Sequence, residues 1–204
     1  MAVITSIDEL RSGKVLRGEA IAMRAFDGPA TVRSQSDEVL YILGKDEGIH
    51  LPAGAEVRIE EGTVLAVSGG QAILPVRSDK IVCPPPIKML DVPVQRTGDR
   101  WYRELIQSEI TQFVGSIPPG RAPDHFHLYE EVLCILQGTG VVWADGKQTP
   151  IGPGSCVYLP KRNVHCLENT GSGELRLVGV FYPAGSPAVR YGVDQNADGR
   201  PDRG

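Results

Sequence analysis

Two histidines, His125 and His127, stand one residue apart in the stretch DHFHLYEE, just ahead of two carboxylates, in a chain with four histidines among its 204 residues. Side chains two apart on a strand share a face, so His125, His127 and Glu131 project together if the extension continues, while Glu130 has the opposite parity. His165, after LPKRNV at the head of another strand, could meet them across a closed barrel. Three imidazoles and a carboxylate are donors suited to one divalent transition metal, Fe, Mn, Ni, Cu or Zn, and ligand type does not choose among these. Inward-facing groups of this kind cost several kcal/mol unless a metal or an internal network compensates them, which weighs against a purely structural cluster. Glu130 reads as a solvated or rim carboxylate, and His50, which has no patterned neighbour, as a surface or otherwise satisfied histidine.

The elements that must position these residues are short and β-like. GEAIAM, EVLYIL, AEVRIEEG, TVLAVS and QAILPV alternate with a period near two in the first half of the chain. SEITQFVGSI, EEVLCIL, GVVWAD, GSCVYLP, HCLENT and ELRLVGVFY do so in the second. SIDELRSG reads as a short helix capped by Ser6, and DRWYRELIQ is ambiguous between helix and strand. With 24 Gly and 16 Pro as punctuation, the pattern predicts an all-β chain of sandwiches or closed barrels.

The two halves resemble each other. DEVLYILGKDEG from Asp37 and EEVLCILQGTG from Glu130 share a core, and GTVLAVSGGQAI from Gly62 can be laid on GSCVYLPKRNVH from Gly154. An internal duplication is the economical account. CPPPIKMLDVPVQRTGD lies between the copies, and its three consecutive prolines cannot donate to a sheet ladder. The expected organisation is a first lobe over 1–90, a second over 91–193 and a polar tail over 194–204.

The run GRAPDHFHLYEEVLCILQG, Gly120 to Gly138, resembles the first motif of the cupin superfamily: H-x-H, three residues, Glu, six residues, Gly. GSCVYLPKRNVHCLEN, Gly154 to Asn169, resembles the second, with Gly, five residues, Pro, then His, three residues, Asn. Gly120 is one residue closer to the first histidine than usual, and Arg162 stands where the pattern has Gly. The resemblance implies two double-stranded β-helix (jelly-roll) barrels, a bicupin, with His125, His127, Glu131 and His165 binding one divalent metal in the second. Aligning Glu38 with Glu131 puts Val32 and Ser34 at the places of His125 and His127, and Ile73 at that of His165. The first lobe is therefore expected to be degenerate and to hold no metal.

Strand parity nominates Leu133, Ile135 and Leu167 as pocket walls, with Trp143 and Tyr158 as aromatic candidates that could equally be barrel core. Arg121 and Arg162 could greet an anion at the mouth. The pocket is largely apolar and no spare general base is identifiable in the motifs, so the enzymatic reading favours oxygenase chemistry, of the dioxygenase kind, on a small organic molecule. The alternatives are a metal-dependent isomerase or decarboxylase, and a non-catalytic barrel that binds a metal and a small ligand.

A formal charge of -4 supplies no basic field for nucleic acid or an anionic membrane. The opening MAVITSIDELRSGKVLRG breaks the apolar run that a secretory leader needs, and the four cysteines have no C-x-x-C spacing. A soluble cytoplasmic protein with reduced thiols is expected, and exposed strand edges suggest a homodimer. Asp194, Asn196, Asp198, Gly199 and Asp202 match the start of a calcium loop, but its twelfth residue would fall beyond Gly204, so the run reads as a polar tail.

Overall fold

The computed structural model describes residues 1–70 and 81–192. The expected strand QAILPV, the Ile73 alignment and the acidic run 194–202 lie outside the described residues. The chain is all-β: the described residues form short strands, one five-residue helix and one 3-10 turn. That helix, Ile7–Arg11, carries a reciprocal capping box between Ser6 and Glu9. DRWYRELIQ resolves as the strand Arg100–Gln107, with Tyr102 in one core, Trp101, Leu105 and Ile106 against another, and a register shift between Glu104 and Ile106. None of the described helices is long and apolar enough to cross a membrane.

The first lobe pairs a six-stranded sheet with a two-stranded one, Ala30–Arg33 against Glu56–Ile59. The second lobe has a seven-stranded sheet facing a second sheet built around Gly140–Ala144 and His165–Asn169. Local chemistry sets the hairpins. Ala144 pairs with Lys147, leaving Asp145 and Gly146, at φ 54 and 70, as a two-residue loop whose left-handed backbone matches the strand twist. Sheet membership crosses the two halves of the sequence: Val3–Ser6 adds to the second lobe's large sheet beside Ser155–Leu159. It changes hands again between Ile87–Lys88, which pairs with the first lobe, and Gln95–Thr97, which pairs with the second.

Three apolar cores result. One fills each barrel, and the third lies between the large sheets of the two lobes. Strand alternation distributes side chains among them. From Glu130–Gln137, Leu133 and Ile135 enter the second barrel while Val132 and Cys134 face the first lobe. From Asp37–Ile42, Leu40 and Ile42 enter the first barrel while Val39 and Tyr41 meet the second lobe. Cys134, Cys156 and Cys166 are buried free thiols and Cys83 is half-buried.

The parity that separates Glu130 from Glu131 holds, but Glu130 is not a solvated carboxylate. It is 3% exposed and sits in the seam between the lobes. It accepts the backbone N–H groups of Glu19 and Ala20, each at 2.7 Å, and the hydroxyl of Tyr158. Gly18 permits that approach, since a Cβ there would lie 2.5 Å from the Glu130 carboxylate. The expectation failed because the face opposite the barrel is covered by another lobe rather than by water. Glu130→Ala removes a buried acceptor and strands two backbone donors, so urea unfolding is expected to lose about 3 kcal/mol, with metal content unchanged.

Candidate metal centre

His125, His127 and Glu131 come from one stretch of chain, and the sheet register brings His165 to them. His125 and His165 are direct partners across an antiparallel pair. One donor atom from each of His125, His127 and His165 lies within 4.8 Å of the others, a three-histidine site consistent with one transition metal. Glu131 Oε2 is 3.7 Å from Nε2 of both His127 and His165. His127, His165 and Glu131 are buried and His125 is half-buried.

Backbone carbonyls orient each ring. Nδ1 of His125 bonds to the Pro123 oxygen at 2.9 Å, that of His127 to Val189 at 3.0 Å and that of His165 to Asn163 at 2.8 Å. A carbonyl can only accept, so each Nδ1 carries the proton and each Nε2 keeps a lone pair for a cation. Tyr129 stacks on His127 at 4.9 Å, and its hydroxyl donates to the oxygens of Ser186 and Val189. The segment after the last long strand thus fixes His127 twice, once by its carbonyl and once through Tyr129. Arg162 adopts φ 61, the left-handed backbone of a glycine site, and donates its N–H to the His127 oxygen at 2.6 Å. The turn therefore keeps the glycine-like shape that the second motif calls for, despite the departure in residue type.

Burial, then neighbouring imidazoles, hold His125 down to about 3 and His127 down to about 2, and burial likewise lowers His165. The rings stay neutral at ordinary pH and are ready to donate. Burial pushes the Glu131 carboxyl up to about 8, so it keeps its proton at neutrality until a cation replaces it.

The four residues border a cavity of about 670 Å³ including its open mouth. Leu133 and Leu167 line it, whereas Ile135 packs in the same core without bordering it. Tyr158 and Trp143 are not in the wall. Tyr158 has the outward parity and packs between the lobes, while Trp143 lies under the Arg121 guanidinium at 3.9 Å and bonds to Glu168. Arg121 is occupied there by that ring, by Asp124 at 2.9 Å and by the Cys166 sulfur, so it does not serve the cavity. The aromatic wall is Phe113 stacked on Phe181 at 4.8 Å, together with Tyr102. Trp101, Arg100 and Arg190 also line the cavity, and neither arginine sits in a recognisable motif. Tyr102 and Arg100 share parity on a strand that was ambiguous in sequence, which is the one signal that could have nominated them.

In the first lobe, Val32 is core and the Ser34 hydroxyl bonds to the carbonyls of Pro52 and Ala55. Glu38 is buried and paired with Arg24 at 2.7 Å. His50 is satisfied by Asp37 at 2.9 Å.

Residues 113–181 match the family model described as a cupin domain. Among curated proteins, 94 residues are 32% identical to quercetin 2,3-dioxygenase of Bacillus subtilis, covering 43% of this chain and 28% of that one. A stretch of 67 residues is 36% identical to an oxalate-binding protein of Thermotoga maritima, covering 32% of this chain and 55% of that one. The chain thus spans less than a third of the length of the first relative and about half of the second. Among solved structures, Bacillus subtilis oxalate decarboxylase, described with Mn(II) centres, superposes with a TM-score of 0.61. It covers 91% of this chain and 74% of its own at 13% identity, a likeness of fold across both lobes.

The titrations give opposed pH effects on the metal-free protein. Unfolded histidines take up protons near 6.5, so the imidazoles' contribution is present above that value and is lost as the pH falls toward about 3. Glu131 holds its proton to about 8 when folded but releases it near 4.5 when unfolded. Its contribution is complete below 4.5 and is lost as the pH rises toward about 8. Metal uptake near neutral pH is expected to release about one proton per ion, from Glu131, and close to none well above its titration. Titration calorimetry in two buffers of different ionisation enthalpy measures this.

Proposed function

We propose that the second barrel, in which residues 113–181 match a cupin domain, is a metal-dependent oxygenase acting on a small organic substrate. In this reading His125, His127, Glu131 and His165 hold one divalent transition metal. The observation that carries it is the convergence of three neutral imidazoles and one buried carboxylate on a cavity walled by leucine and phenylalanine. When bound, such a metal supplies a site at which substrate and dioxygen meet, or a Lewis acid for a carbonyl.

The chain's own residues do the rest. Carbonyl bonds to the Nδ1 atoms keep the imidazoles aimed, and the Phe113 and Phe181 pair excludes water from the reacting volume. Glu130 faces the other lobe and cannot act as a base in the cavity. Among the described residues that line the cavity, all acidic and imidazole groups belong to the proposed ligand set. That weighs against acid–base isomerisation and favours chemistry centred on the metal. The match to a quercetin dioxygenase supports the oxygenase branch. A decarboxylase is the second reading, favoured by the two arginines in the wall.

His127→Ala and Glu131→Gln are each expected to lower bound metal severalfold while circular dichroism shows the fold retained; full occupancy in both variants by elemental analysis rejects the ligand set. The iron-loaded protein is expected to consume oxygen when given aromatic or diketone compounds, followed with an oxygen electrode. Uptake of carbon-containing substrate with carbon dioxide release and no oxygen consumption would select the decarboxylase instead.

A further inference from the structure

Two arginines bring positive charge to the second-lobe cavity. Arg100 and Arg190 both line it. Among the described residues the buried Arg100 Nε has no hydrogen-bond partner, and the carboxylate it pairs with, Asp99 at 3.8 Å, lies largely in solvent. Among the described residues Arg190 forms no ion pair. The two guanidiniums sense each other: burial and then Arg190 hold Arg100 below its usual range, and both bear on His125. A cation at the histidines would add to this charge.

The first lobe shows how the same architecture settles a cavity arginine when the chain supplies the counter-charge. There Arg24 meets the buried Glu38 at 2.7 Å. In the second lobe the equivalent carboxylate, Glu131, faces His127 and His165 instead. Two like charges in a partly desolvated wall are costly unless an anion joins them, and a planar carboxylate suits the guanidinium fork. Most of the remaining wall is apolar or aromatic.

We propose that Arg100 and Arg190 anchor a carboxylate of the substrate, so that the cavity selects small organic acids with an apolar or aromatic body lying against Phe113 and Phe181. This rests on the reading of the cavity as a substrate site, and it names what that site selects. Arg100 and Arg190 belong to no motif; the first precedes Tyr102 on the strand Arg100–Gln107, and the second follows the Val189 carbonyl that orients His127.

The test is binding by the full chain, metal-free and zinc-loaded, with benzoate and its uncharged isostere benzamide as probes in titration calorimetry. Benzoate is expected to bind the metal-free protein at least about tenfold more tightly than benzamide. Arg100→Gln and Arg190→Gln are each expected to weaken benzoate about tenfold and to erase that preference, with thermal unfolding and zinc content unchanged. Equal binding of benzoate and benzamide, retention of the preference in both variants, or no saturable benzoate binding in either metal state overturns the proposal. The preference and its arginine dependence in a protein that takes up no metal would leave the anchor standing and remove the metal reading. A metal-loaded protein without the preference would remove the anchor alone.

Discussion

The strand Glu130–Gln137 is buried on both faces, and the rest of the molecule is arranged around that constraint. Its first two residues are carboxylates that must both leave water, in opposite directions. Glu131 is accommodated by imidazoles in the barrel, and Glu130 by two backbone N–H groups and a phenol in the seam. Remove the first lobe and the second has a charged group and an apolar sheet face, with Val132, Cys134, Val178 and Val180, exposed to solvent. A lobe without the histidine set is therefore structurally required by the lobe that has it. The strand that carries Glu131 is held on the first lobe's side by the partner sheet.

The two lobes place different residues at matching register positions. In the second lobe Glu131 faces Phe181 and Leu133 faces Gly179, with Phe113 across from Gly179 on the next strand. In the first, Glu38 faces Ser68 and Leu40 faces Ala66, with Arg24 across from Ala66. The stacked phenylalanines of one cavity thus correspond to Arg24 and Ser68 in the other. Gly179 is part of that exchange, since a Cβ there would lie 2.4 Å from the Phe113 ring. A guanidinium neutralises the carboxylate of the first lobe from within, whereas the second lobe turns the matching group toward the imidazoles of His127 and His165.

Much of the candidate site was legible because its signals are local. His125, His127 and Glu131 lie within seven residues, where strand parity sets relative orientation, and His165 belonged to a motif with its own spacing. Arg162 in a glycine position raised a question about the turn that the backbone answers at φ 61. Tyr158, offered for the pocket wall or the barrel core, packs between the lobes instead, and Glu130 was misjudged for one reason. Parity says that a residue leaves the barrel, and it does not say whether water or another sheet waits outside. Phe113, Phe181, Arg100 and Arg190 were missed because a cavity wall collects residues from strands and loops far apart in the chain.

The sequence by itself determined the all-β class and nominated a repeat and a donor set, since each is read from periodicity and spacing along a few residues of backbone. Tertiary structure decided which face of each strand meets solvent, which thiols and carboxylates lie in the seam, and which charges line the cavity. Those properties depend on desolvation, and desolvation is set by whatever packs against a surface from elsewhere in the chain. Neighbouring Glu130 and Glu131 show the difference: one step along the strand fixes that they diverge, and only the packed lobes make both of them buried.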